Sequence, residues 1–325
     1  MSLAQDIGTA AAEAPKPKVA LIWSRGLPYV LAVFVFALCV VPFLLVLAIS
    51  FGRKIDGAGW VWDFTLENYQ RFFVGIGWPD EVTFLYLQQL GFSFWYAVIA
   101  SILAVLTAFP FTLLLTRLSR RKQSIWLVFL LASLSLSEVF IVMGWDILLS
   151  ANSGLPALMR ATGVTQWLMD VGWFDTLREW GLASPRNVRF KTSQFATILT
   201  MSYLVWPYAV ILLYPALSRL DPSLPEAART MGAGNWTVLR TVIVPTVRLP
   251  LLGSTLLLFV FLLGAYVSVT VFAAPANQTT AVAIYGNIRG GNLNAPFGSA
   301  QAVILLLSAG LCLFAGHTLN RMAAR

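Results

Sequence analysis

Two acidic side chains and one short polar run hold most of the chemistry this chain can offer. Glu138 and Asp146 fall inside otherwise apolar stretches. An ionised carboxylate at the centre of a bilayer costs about 2.5–3.5 kcal/mol on an insertion scale, so an acid kept there faces a bundle interior or a wet cavity. Such a group can meet a cation, a polar solute or a proton on a translocation path. The alternative is structural: Ser133, Ser135 and Ser137 stand close by, and a hydrogen-bonded seam between helices would include Glu138. The polar run is Leu224-Pro225-Glu226-Ala227-Ala228-Arg229-Thr230-Met231-Gly232, followed by Val242-Ile243-Val244-Pro245. Its chemistry is recognition by a surface helix, since it contains no nucleophile beside a base.

Bond-making chemistry has little to stand on. The single His, His317, has no Ser, Cys or metal-ligand constellation around it. Cys39 and Cys312 lie in apolar runs without ligand spacing, which predicts neither a disulfide nor a metal site. No Gly-Lys pair occurs, so the glycine-rich loop that cradles nucleotide phosphates is missing from the sequence. The expectation is a non-catalytic chain that binds no cofactor and draws its energy from elsewhere.

The elements that would position these residues are membrane spans. With 58% hydrophobic and 11% charged residues, the chain carries more apolar surface than one soluble core can bury. Apolar runs at 27–51, 92–116, 125–149, 195–217, 251–274 and 300–319 each approach or exceed the roughly 20 residues that cross the hydrocarbon as a helix. The reading is an all-α membrane protein of six transmembrane helices. Lys and Arg favour the segments that are inside if the N-terminus is cytoplasmic, above all Arg117, Arg120, Arg121 and Lys122. Both termini are therefore expected in the cytoplasm. The net charge of +8 is spread along the inner rims of the spans, which suits anionic membrane lipid and not nucleic acid.

Residues 1–26 read as a cytoplasmic tail and 27–325 as one transmembrane domain, with a cytoplasmic loop at 218–248. Between the third and fourth spans, Trp167, Val171, Phe174 and Leu177 recur at helical spacing and predict an amphipathic helix on the outer surface or against the protein's own core. Pro207 and Pro215 predict a bent fourth span. Tyr208, Tyr214, Phe259, Phe261 and Tyr266 are candidates for an aromatic constriction, or for ordinary packing.

In the loop, Ser223 and Glu226 fit a capping box, Pro225 is tolerated in a first turn, and Gly232 suits a left-handed stop. Asn235 would cap a second helix leading to Pro245. Read as Glu-Ala-Ala, three residues, Gly, nine residues, then an apolar triplet and Pro, this segment resembles the signature loop of permease subunits of binding-protein-dependent type I ABC importers. Val242 and Val244 stand where Ile and Leu are usual. Pro42-Phe43-Leu44, Ser50-Phe51, Phe64-Thr65-Leu66-Glu67-Asn68-Tyr69, Asn152-Ser153-Gly154-Leu155 and Leu263-Gly264-Ala265-Tyr266 are similar to the spermidine/putrescine branch. Many relatives there carry an acid followed by Phe at Ala265 and Tyr266, and this chain has no charge at that place.

The resemblance implies a type I importer permease architecture in a bacterial inner membrane. It implies an ATPase subunit dimer that binds ATP and Mg, a second and different permease chain, and an external solute-binding protein. Glu226, Ala227, Ala228, Gly232 and Pro245 would couple to the ATPase, and Glu138, Asp146 and Tyr266 would line the path of a small hydrophilic solute, an organic amine or polyamine being favoured. A self-sufficient secondary transporter or channel is the alternative, and it would need no partner.

Overall fold

The computed structural model describes residues 18–55, 59–184, 187–291 and 293–323. Helix α1 (Lys18–Ile49) already includes the second part of the segment read as a tail, and residues 1–17 lie outside the described residues. A short hairpin, β1 (Arg53–Ile55) and β2 (Gly59–Val61), leads to α2 (Glu67–Val74). Asn68 at the start of α2 donates to the carbonyls of Ser50 and Gly52 at 2.9 and 2.8 Å, and Tyr69 shares a 2.6 Å hydrogen bond with Ser50. These bonds fix the end of α1, which packs on α16 but has no fully buried residue in its apolar span.

The centre is α3 (Leu85–Thr116) against α9 (Gln194–Ser218). On α3, Ala100, Ala104, Ala108 and Thr112 are wholly buried at a spacing of four, and on α9 Met201, Val205, Ala209, Leu213 and Leu217 recur at the same spacing. Small residues in one row let two helix backbones approach closely, which is how membrane helices gain packing contact without a hydrophobic driving force between them. Between them in the chain come α4 (Arg120–Leu134), α5 (Glu138–Leu149), α6 (Leu155–Ala161), α7 (Val164–Asp170), α8 (Trp173–Glu179) and a second small hairpin, β3 (Ala183–Ser184) with β4 (Asn187–Val188).

Helix α10 (Ser223–Thr230) and α11 (Asn235–Val238) follow, then a π turn at Leu239–Ile243 and α12 (Val244–Thr246). Helix α13 (Arg248–Leu263) returns to pack on α3 and α9. The chain closes with α14 (Val267–Phe272), a 3₁₀ turn at Pro275–Asn277, α15 (Thr280–Ile288) and α16 (Ala295–Ala323).

Among the described residues, four helices are long and apolar enough to cross a membrane alone: α1, α3, α9 and α16. The other two expected spans are not simple rods. The run at 125–149 is broken at Ser135–Ser137, with α4 and α5 bent by 95°, and α13 meets the preceding helical segment at 70°. The run at 251–274 also ends early, at Leu263, and resumes as α14. Pro207 and Pro215 leave α9 one continuous helix. The amphipathic helix expected around Trp167 is instead three separate seven-residue helices, because Gly163 and Gly172 sit at φ of +77° and +80° and reverse the chain. Phe174 is buried there, while Trp167 and Val171 are exposed.

Candidate functional site

The loop folds as two short helices with a tight stop between them. Asp221, one residue before Pro222, starts α10: its Oδ1 accepts the backbone N–H of Ser223 at 2.9 Å. Ser223 and Glu226 do not form the capping box, because Ser223 already lies inside the helix and Pro222 occupies the cap position. The Ser223 backbone bond, then its hydroxyl, hold the Asp221 carboxyl below its ordinary value of 3.8. At the far end, Gly232 at φ +86° donates to the Arg229 carbonyl at 2.9 Å, and Ala233 donates to the Ala228 carbonyl at 3.0 Å. This paired closure is the Schellman arrangement, and it needs a left-handed residue at that point.

Ala228 is buried against the π turn side of the loop, whereas Glu226 and Ala227 face outward. Three large apolar side chains join them at the surface: Leu224, Met231 at 81% exposure and Trp236 at 73%. Sequence reasoning missed these three, although large apolar residues in a polar loop are themselves a docking signal. Asn235 does not cap α11; Gly234 holds that position, and the Asn235 side-chain Oδ1 accepts from Arg229 at 3.4 Å. Pro245 has no N–H to offer the Thr241 carbonyl and crowds it, and the helix widens into the π turn just before it. Leu113, Thr116 and Arg117 at the end of α3 share a hollow of about 340 Å³ with Pro222, Glu226 and Arg229.

Glu138 stands at the first position of α5, at the bend between α4 and α5. Its Oε1 accepts the Ser268 hydroxyl at 3.0 Å and the Ser268 N–H at 3.3 Å, which lies in the first turn of α14. One carboxylate thus serves the starts of two helices, where unpaired N–H groups favour negative charge. The serine seam takes a different form from the one expected. Ser133 and Ser135 bond back to the Leu130 and Ala132 carbonyls, and Ser137 caps α5 by accepting from Val139.

Asp146, near the other end of α5, pairs with Lys191 at 2.6 Å across the start of α9, both being about a third or more exposed. Tyr266 occupies the break between α13 and α14 and stacks on Tyr285 of α15, ring centroids 4.6 Å apart at 19°. The other aromatic candidates do not converge. Tyr214 donates to Gln123 at 2.8 Å, Phe259 is buried against Phe94, and Tyr208 pairs with Phe261 at 5.5 Å. Glu138, Asp146 and Tyr266 therefore form separate contacts instead of one cluster.

Residues 182–321, which contain the loop, α13 and most of α16, match the family of binding-protein-dependent transport system inner membrane components. The chain is 24% identical over 289 residues to the spermidine/putrescine transport system permease protein PotB of Haemophilus influenzae, covering 88% of this chain and 90% of that protein. It is 26% identical over 295 residues to PotB of Escherichia coli, covering 90% and 94%. Over residues 182–321 the chain is thus similar to that family of importer permeases, and over most of its length to the PotB permeases. The permease fold is shared with a bacterial alginate ABC transporter solved in complex with an alginate pentasaccharide-bound periplasmic protein, at a TM-score of 0.65 and 13% identity over 95% of this chain and 96% of that one. With several helices long and apolar enough to cross, the chain is accordingly a multi-pass membrane protein.

Proposed function

We propose that this permease forms the translocation path for a small hydrophilic solute in a bacterial inner membrane, and that the 218–248 loop couples that path to a separate ATPase. The observation that carries the coupling role is the exposed edge of the loop, where Glu226 and Ala227 stand beside Leu224, Met231 and Trp236 on a helix closed by Gly232. An apolar, small-residue face on a rigid two-helix corner fits a groove on another protein. Pro245 and its π turn carry movement of that corner into α13. ATP and Mg belong to the ATPase dimer, and a second permease and an external solute-binding protein complete the importer. The PotB relatives, named for spermidine and putrescine, favour an organic amine.

Six crossings with both termini cytoplasmic fit this arrangement. The end of α3 and the loop border one hollow, so the chain leaving Arg117 and returning at Leu217 goes out and back. Helix α9 supplies the return, which makes α4 with α5 a single bent crossing. Glu138 and Tyr266, at the breaks in the third and fifth spans, are placed to respond when those spans rock, and Asp146 with Lys191 closes the far end.

Glu226→Arg tests the reading. The variant is expected to reach the membrane at normal levels, to lose ATPase on purification and to abolish uptake. Full uptake by a well-expressed variant would remove the coupling role.

A further inference from the structure

A cavity of about 590 Å³ has no role in the coupling just described. It opens beside the first turns of α3, and the hollow under the loop borders the last turns of the same helix. A 32-residue helix is about 48 Å long, so the cavity lies on the side opposite the loop. On the proposed orientation, this is the side from which the solute arrives, and the inference rests on that reading.

The lining is polar and includes two cationic side chains. Lys54 and Arg71 reach it, together with the carboxamides of Gln89, Gln278, Asn287 and Asn294, and none of the lining residues is Asp or Glu. Glu67 borders a neighbouring hollow on the other side of Arg71, but its carboxylate is turned to Arg53 at 3.5 Å. Arg71 is held in place by Phe297, its guanidinium carbon 4.6 Å from the ring centroid. A guanidinium stacked on a ring keeps its N–H edge for acceptors in its own plane, the geometry that carboxylate and phosphate match with two bonds. The Nε of Arg71 and the Oε1 of Gln89 are buried and have no hydrogen-bond partner within the protein. Buried polar atoms left this way ask for a ligand. Asn287 and Asn294 are ordered by the protein itself: Asn287 donates to Gln301 at 2.8 Å, and Asn294 accepts from Phe297 N–H at 3.2 Å.

We propose that this cavity recognises the anionic end, carboxylate or phosphate, of a small solute on its way into the permease. Arg71 is the principal ligand, Lys54 adds charge and Gln89 supplies an acceptor. A plain polyamine would bring two ammonium groups to a wall of like charge, whereas an amine that also bears a carboxylate can place its acidic end on Arg71. The volume suits a molecule of that size.

The test is thermal unfolding of the purified permease complex in detergent, with glutarate, inorganic phosphate, putrescine or a short-chain phosphatidylglycerol as probe. Glutarate or phosphate at about 10 mM is expected to raise Tm by a few degrees, putrescine not at all. Arg71→Met is expected to lose the shift, and the milder Lys54→Gln to reduce it in case Arg71→Met does not fold. A shift from putrescine alone, from the phospholipid alone, or equal shifts in wild type and both variants would overturn the proposal. ATP hydrolysis measured on the same sample separates the two readings. A coupled ATPase with no glutarate or phosphate shift defeats the cavity alone, and an anion shift without any ATPase defeats the coupling role alone.

Discussion

Glu138 is worth more to this protein as a hydrogen-bond acceptor than its place in an apolar run suggests. Ser268 is fully buried, and its N–H and hydroxyl both end on the Glu138 carboxylate. Glu138→Ala strands those donors, at a cost of about 1–3 kcal/mol, while Glu138→Gln keeps an acceptor oxygen in reach. Thermal unfolding of the solubilised chain should therefore rank wild type near Glu138→Gln and both above Glu138→Ala. Equal Tm for the Ala and Gln variants would show that the bond contributes nothing. Asp221 makes a different argument, because its folded-state pKa is lowered by the Ser223 N–H. A lowered carboxylate contributes above its unfolded value and loses that contribution as pH falls through the folded one. Hydrogen-exchange protection of α10 should then be flat from about pH 5 to pH 8 in the wild type. Asp221→Ala should lower protection throughout that range without making it pH-dependent.

At the scale of elements, glycines decide where helices stop, and they do so in two ways. A Cβ at Gly232 would meet nothing within 4 Å, so Gly232→Ala costs only the left-handed backbone, about 1–2 kcal/mol. A Cβ at Gly154 would sit 2.0 Å from the Leu148 carbonyl oxygen, where backbone must move. Gly154→Ala should thus reduce folded yield and Tm more than Gly232→Ala, while Gly232→Ala should reduce uptake at normal yield. The reverse ranking would mean that the corner from α5 to α6 yields easily. The stop at Gly232 was legible because Gly after a helix-forming run has one common use. The break between α4 and α5 was less so, since hydropathy averages over it. Ser137 directly before Glu138 is a cap-and-acid pair, and it marked a helix start inside what read as one span. Pro207 and Pro215 did not mark a break, because α9 runs through both as one helix. The partners of the intramembrane acids could not be read at all. Ser268 lies 130 residues from Glu138, and only the packing of α14 on α5 brings them together.

Across the whole molecule, the side-chain ties order the bent α4–α5 pair along α9. Gln123, at the start of α4, is bonded by Tyr214 near the loop end of α9; Trp145, late in α5, meets Tyr203; and Asp146 reaches Lys191 just before α9 begins. The partners on α9 run backwards as the α4–α5 pair runs forwards, as two antiparallel crossings require. A re-entrant excursion would instead bring the end of α5 back to the level of Arg117. Cysteine accessibility separates the two, after Cys39 and Cys312 are replaced by Ser. Trp236 and Leu158 are both well exposed, one in the loop and one in α6. With a membrane-impermeant maleimide, Trp236→Cys should label only in inside-out vesicles and Leu158→Cys only in right-side-out ones. Labelling of both from the same side would make α4 and α5 a re-entrant pair and remove one crossing from the bundle. The loop and the cavity lined by Arg71 would still occupy opposite ends of α3, because that separation depends on one unbroken helix and not on the number of spans.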